Sequence, residues 1–188
     1  IDENAKQLKA DFIGATVSKQ LKSNAIKAII FAVIAILLYI AWAFRKVSVP
    51  VSSWYYGLGA VTALAHDIII TIGVFAILGH LFGIEVGVPF VAALLTILGY
   101  SVNDTIVVYD RIRENVLRTR SIANFEELVN KSLNESLARS FNTSFTVVLV
   151  LVPIILFGGG SLFNFSLALL IGVIVGTYSS MFIATALI

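Results

Sequence analysis

Five stretches of this 188-residue chain are long and apolar enough to cross a bilayer, and that constrains the fold more than any other feature. They fall at about 25–44, 57–79, 88–109, 141–157 and 164–188. A helix needs about 20 such residues to span the hydrocarbon core. Within one segment only a helix satisfies its own backbone away from water. The expected fold is therefore an all-α polytopic membrane bundle over residues 24–188. Residues 1–23 read as the end of an extracytoplasmic domain with its connector. The fourth stretch is the shortest and carries Pro153, a residue that interrupts helical hydrogen bonding.

Composition closes off other classes. Hydrophobic residues make up 59% of the chain and charged ones 13%. Soluble domains run nearer half and a quarter, so the apolar excess must face lipid or other helices. A net charge of +2 gives no electrostatic case for nucleic acid. The absence of cysteine rules out disulfides, thiolate metal sites and thiol nucleophiles in this chain. The opening, IDENAKQLKADFIGATVSKQLK, is polar and has neither the apolar core nor the cleavage site of a signal peptide.

Charge sets the orientation. Linker 45–56 carries Arg45 and Lys46, and linker 110–140 carries Arg111, Arg113, Arg118, Arg120, Lys131 and Arg139. Linkers 80–87 and 158–163 carry no Lys or Arg. The positive-inside bias assigns the two basic linkers to the cytoplasm. The N-terminal segment then lies outside despite Lys6, Lys9, Lys19, Lys22 and Lys27. Long translocated domains escape the bias, so an earlier membrane helix and most of an outside domain are expected to precede Ile1.

The long cytoplasmic linker has its own helical pattern. Phe125, Leu128, Val129, Leu133 and Leu137 recur on one face, which predicts an amphipathic helix over 125–139 lying on the inner membrane surface. Asn124 and Glu127 form a capping pair by spacing. Glu127–Lys131 and Glu135–Arg139 are ion pairs by spacing. In the last span Ala168, Gly172, Gly176, Ser180 and Ala184 place a small residue every fourth position, the pattern of close helix packing.

Ionisable groups at membrane depth are the informative ones, since each costs about 2.5–3.5 kcal/mol even on insertion scales. Asp67 lies in the second span and Asp104 in the third. At 1.5 Å per residue, Asp67 sits about 15 Å and Asp104 about 9 Å from the cytoplasmic side. Adjacent antiparallel helices would bring them near each other. Ser101, Asn103 and Thr105 surround Asp104 with polar groups along the same helix, behind Thr96 and Tyr100. A carboxyl group withdrawn from water favours its neutral form, and an approaching cation reverses that preference. His66 adjoins Asp67, but consecutive helical side chains diverge by about 100°. Packing or hydrogen bonding fits it better than a shuttle. Arg139 reads as a basic flank of the fourth span. His80 and Glu85 read as solvated outer-loop residues, and Arg111 and Arg113 as anchors at the inner interface.

Several runs have a familiar form. GYSVNDTIVVYDRIREN at 99–115, ALAHDIIIT within 62–71, IGVIVGTYSS at 171–180 and FIGATVSKQL at 12–21 together resemble the SecF family of protein-export subunits. That resemblance covers Asp11 to Ile188. It implies a six-helix, RND-like bundle in the bacterial cytoplasmic membrane, paired pseudo-symmetrically with SecD. It implies a non-enzymatic role, coupling the proton motive force to preprotein export. The implied partners are SecYEG, YajC, unfolded preproteins and membrane lipid, with no nucleic acid. The resemblance puts Asp104 and Arg139 in a proton path and Asp67 as a further carboxylate of less defined role. No cofactor is implied, and the coupling ion would be H⁺ or Na⁺. Three alternatives stay open at this point: an intramembrane aspartyl protease, an RND-type small-molecule exporter, and a structural subunit whose carboxylates do not titrate. The Gly-x-Gly-Asp run of such proteases is absent, since Ser101-Val102-Asn103 precedes Asp104.

Overall fold

The computed structural model describes residues 15–45, 51–119 and 125–188, all of them in helices or short connections. Five long helices follow in order: α1 (Ala15–Ala43), α2 (Ser53–Phe82), α3 (Val88–Thr119), α4 (Phe125–Phe157) and α5 (Gly160–Phe182). A short 3₁₀ turn (Thr185–Leu187) closes the chain. Each long helix contains a segment long and apolar enough to cross a membrane. α3 lies at the centre, packing on every other helix, and its most extensive contact is with α5.

The helices outrun the apolar stretches for identifiable reasons. α1 begins within the expected connector, because KQLKSNAIK contains no helix breaker. α3 continues ten residues past the apolar run to Thr119. Its extension is laced by Arg113–Asp110 (3.2 Å), Arg111–Glu114 (2.5 Å) and Arg118–Glu114 (2.6 Å), all at helical spacing. At 1.5 Å per residue α3 is about 48 Å long, well beyond a hydrocarbon thickness of about 30 Å. The surplus projects from the basic end. Gly83 ends α2 in the left-handed region (φ 67°), where its N–H returns to the Gly79 carbonyl.

The main departure from the sequence expectation concerns α4. The amphipathic segment 125–139 and the span 141–157 form one continuous helix, not a surface helix followed by a separate span. Nothing between Arg139 and Phe141 breaks it, and Pro153 is carried inside it. Phe125, Leu128, Val129 and Leu133 are half-buried against other helices. They pack on a protein cluster formed by Ile40, Phe44, Tyr56, Val108, Tyr109 and Ile112. That cluster was invisible to periodicity, which finds an apolar face but not its partner. The proposed Asn124 cap lies outside the described residues.

The core has three layers. At the basic end is the cluster just named, built around Phe44 stacked on Tyr56 (5.2 Å) with Tyr109 edge-on to both. At the opposite end Phe75, Phe90, Ala93, Leu94, Ile97 and Ala168 form a second apolar cluster. Buried polar side chains occupy the layer between. The expected stripe on α5 makes this packing close: a Cβ on Gly172 would fall 2.3 Å from Ile97 Cδ1.

Candidate functional site: two buried carboxylates

Asp67 on α2 is fully buried, and Asp104 on α3 is 8% exposed. Each is held by hydroxyl groups from neighbouring helices. Ser101 Oγ donates to Asp67 Oδ2 at 2.5 Å. Ser140 Oγ donates to Asp104 Oδ1 at 2.5 Å, and Ser180 Oγ donates to Asp104 Oδ2 at 2.7 Å. Asp104 is thus clamped between α4 and α5, one serine on each oxygen. Hydrogen bonds to an ionised group contribute about 1.5–3 kcal/mol each.

The local sequence explains the geometry. Ser132, Ser136, Ser140 and Ser144 recur every fourth residue and are the buried face of α4, together with Leu151. Small side chains at this spacing let α4 approach closely. Three of the four hydroxyls return to the preceding turn: Ser132 to the Leu128 carbonyl (2.7 Å), Ser136 to that of Ser132 (2.9 Å) and Ser144 to that of Ser140 (2.9 Å). Ser140 instead reaches across to Asp104. On α5, Gly176 leaves room for Ser101, whose Cβ would be 3.1 Å from a Cβ at that position. The small-residue stripe, expected only to pack, also supplies a carboxylate ligand through Ser180 and admits Ser101 through Gly176.

Around the clamp the hydroxyl network continues. Tyr100 donates to Ser144 Oγ at 3.0 Å, and Ser144 shares a hydrogen bond with Thr177 on α5. Thr105 donates to the Ser101 carbonyl at 3.2 Å, and Thr71 to that of Asp67 at 2.8 Å. Tyr100, Ser101 and Thr105, singled out by sequence, are all part of these buried or half-buried hydrogen bonds. Ser140, Ser144 and Thr177 went unrecognised there. The four-residue recurrence in KSLNESLARSFNTS was the signal available for the first two.

Other expected residues lie elsewhere. Asn103 is exposed on α3, turned away from the carboxylate beside it in sequence. Arg139 does not reach Asp104, since its neighbour Ser140 occupies that position and Arg139 itself is exposed. It lines a polar cleft at the basic end with Asp110, Arg111, Glu114, Glu135 and Ser136. The expected Glu135–Arg139 pair is replaced. Glu135 accepts from Arg111 Nε (2.7 Å) and Asn115 Nδ2 (2.9 Å), both on α3. Arg111, read as an interfacial anchor, thus ties α3 to α4. His66 Nδ1 lies 3.1 Å from Asp67 Oδ1, so these adjacent side chains meet despite the divergence of their Cα–Cβ directions. His80 falls in the last turn of α2 and Glu85 in the following loop, both exposed.

This arrangement has a chemical consequence. A hydroxyl is both donor and acceptor, so a serine can donate to a carboxylate or accept from a carboxylic acid. Either protonation state of Asp104 can therefore be satisfied without moving the backbone. No hydrogen bond joins the two carboxylates among the described residues, so the proton-sharing dyad of an aspartyl protease is not formed. Among the same residues no three His, Asp or Glu side chains cluster as a metal site requires.

Comparison with known proteins places this fold. Residues 1–188 match the family described as "Protein export membrane protein SecD/SecF, C-terminal". The protein translocase subunit SecF of Thermobaculum terrenum is 49% identical over 98% of this chain, which spans 57% of that relative. The SecF of Sebaldella termitidis is 42% identical over 98% of the chain and 56% of the relative. The crystal structure of SecDF from Thermus thermophilus, a translocon-associated membrane protein, superposes with a TM-score of 0.80 at 41% identity, covering 93% of this chain and 22% of that one. The chain is thus about half the length of the SecF relatives it matches. It is a multi-pass membrane protein and belongs to the SecD/SecF family of protein-export membrane proteins.

Proposed function

We propose that this chain forms the membrane part of an accessory subunit that couples the proton motive force to preprotein export. Asp104 is its proton-binding group. The observation that carries the reading is the Ser140–Asp104–Ser180 clamp, a buried carboxylate whose partners accommodate both the charged and the neutral form. The clamp spans three helices, so a change of protonation alters how α3, α4 and α5 are held together. Moving one charge through 100 mV supplies about 2.3 kcal/mol, enough to bias a two-state bundle more than tenfold. Ser101 lies one turn from Asp104 on α3 and holds Asp67 of α2, and the two form a second station.

SecD is the expected partner, as the fused SecDF relative suggests, with SecYEG, YajC and unfolded preproteins completing the assembly. The relatives are named protein translocase subunits, which favours this reading over a small-molecule exporter. The test is preprotein export in cells carrying the full-length protein with Asp104→Asn, at normal membrane levels. Asn keeps the shape and hydrogen bonds but cannot carry the charge. Export falling to the level of a strain without the subunit supports the reading, and unchanged export rejects it.

A further inference from the structure

We propose that protons leave Asp104 toward the basic end of the bundle along the serine face of α4, through Ser140 and then Ser136 into the cleft beside Arg139. This rests on the proton-coupling reading above. The cleft has a volume of about 270 Å³, and Asp110, Arg111, Glu114, Glu135, Ser136 and Arg139 line it. That far exceeds the roughly 10–15 Å³ of probe volume that one water needs, and the walls are polar enough to hold it. Ser136 is 5% exposed and forms part of the cleft wall. Its own proton is committed to the Ser132 carbonyl, which leaves its oxygen free to accept from water. Ser140 lies one turn deeper, 1% exposed, on Asp104 Oδ1. Four helical residues rise about 6 Å, and the proposed route places one water between the two hydroxyls.

Between α2, α3 and α5 the opposite direction is apolar. Beyond Thr71 and Ser101 the packed cluster of Phe75, Phe90, Ala93, Leu94, Ile97 and Ala168 has no polar member, and the Phe75 and Phe90 ring centres are 4.5 Å apart. The polar-walled cleft lies at the basic end, and the serine face of α4 leads toward it.

The transfer balances as a relay. The Ser140 hydroxyl turns from Asp104 toward the bridging water. The carboxyl proton of neutral Asp104 passes to Ser140 Oγ as Ser140 gives its own proton to that water. One O–H bond forms and one breaks at Ser140. Asp104 is left as the carboxylate, and the excess proton moves through water past Ser136 into the cleft. Arg139 acts on this route through the field in the cleft and not by contact with Asp104.

The experiment uses the full-length protein in its complex, in inverted membrane vesicles whose cytoplasmic face is outward. This chain holds no cysteine, so single cysteines can be introduced once any cysteine elsewhere in the complex has been replaced. With 2-aminoethyl methanethiosulfonate added outside, Ser136→Cys is expected to be modified while Ala93→Cys in the buried apolar cluster is not. An unmodified Ser136→Cys overturns the route whatever export shows. If that variant fails to assemble, Val107→Cys in the same cleft wall gives the same test. Gradient-driven proton uptake supplies the second measurement. Positioned proton-transfer groups contribute about 10²–10⁴-fold, and bypass by water lowers this, so Ser136→Ala should slow uptake about tenfold and Ser136→Thr should restore it. Unchanged uptake in Ser136→Ala removes Ser136 from the route. Modification of Ser136→Cys together with normal export by Asp104→Asn would leave the cleft standing and reject the function.

Discussion

Replacing Gly172 by Ala tests the packing that brings α5 onto α3. A methyl at Gly172 would lie 2.3 Å from both Cδ1 and Cγ1 of Ile97 and 2.9 Å from its Cγ2. Carbon atoms settle at about 3.5–4.0 Å, so the methyl intrudes by more than 1 Å. Ile97 is fully buried within the Phe75–Phe90 cluster and has no open space to turn into. Overpacking of this kind costs about 1–3 kcal/mol. Alanine recovers about 0.5–1 kcal/mol of helix preference over glycine, leaving a net loss of about 0–2.5 kcal/mol. Gly73 on α2 is the control, because nothing lies within 4 Å of a Cβ there. Gly73→Ala should stabilise by about 0.5–1 kcal/mol. The assay is reversible unfolding of the full-length protein in mixed detergent and dodecyl sulfate micelles. Ile97→Ala in the Gly172→Ala background should then cost at least about 1 kcal/mol less than Ile97→Ala alone. Equal stability of the two glycine variants, or simple additivity with Ile97→Ala, would refute the reasoning.

Two further outcomes follow from the hydrogen bonds. Tyr109→Phe removes the buried bond to the Ala184 carbonyl (2.9 Å) and should destabilise by about 1–3 kcal/mol in the same unfolding assay. Export should change only in proportion to the amount of folded protein. Ser140→Ala and Ser180→Ala each remove one donor to Asp104. Each should slow export without lowering protein levels, the pair should approach Asp104→Asn, and Ser140→Thr should retain activity. Full export by the double alanine variant would exclude the clamp from coupling.

The membrane character, the five helices and the two carboxylates were legible because each rests on local information: length, apolarity and a charge where none belongs. Helix ends were less so. Hydropathy marks where lipid ends, whereas α3 and α4 continue beyond it on ion pairs and on an apolar face covered by protein. The clamp itself was half legible. Asp104 and the stripe holding Ser180 were visible, but neither announces the other, since they are 76 residues apart. Arg139 shows how facing escapes the sequence. Its charge draws the eye, yet one residue on a helix changes facing by about 100°, and Ser140 is the one that turns inward. His66 shows that direction alone is insufficient, because its ring reaches Asp67 regardless.

In the proposed function Asp104 takes up and releases the coupling proton. The most direct measurement is gradient-driven proton uptake by the purified full-length complex in sealed proteoliposomes, comparing the native protein with Asp104→Asn. Uptake reduced to the level of protein-free liposomes, with the complex still assembled, is the predicted result. Uptake at the native rate in Asp104→Asn would contradict it and would make the Ser140–Asp104–Ser180 clamp a structural joint.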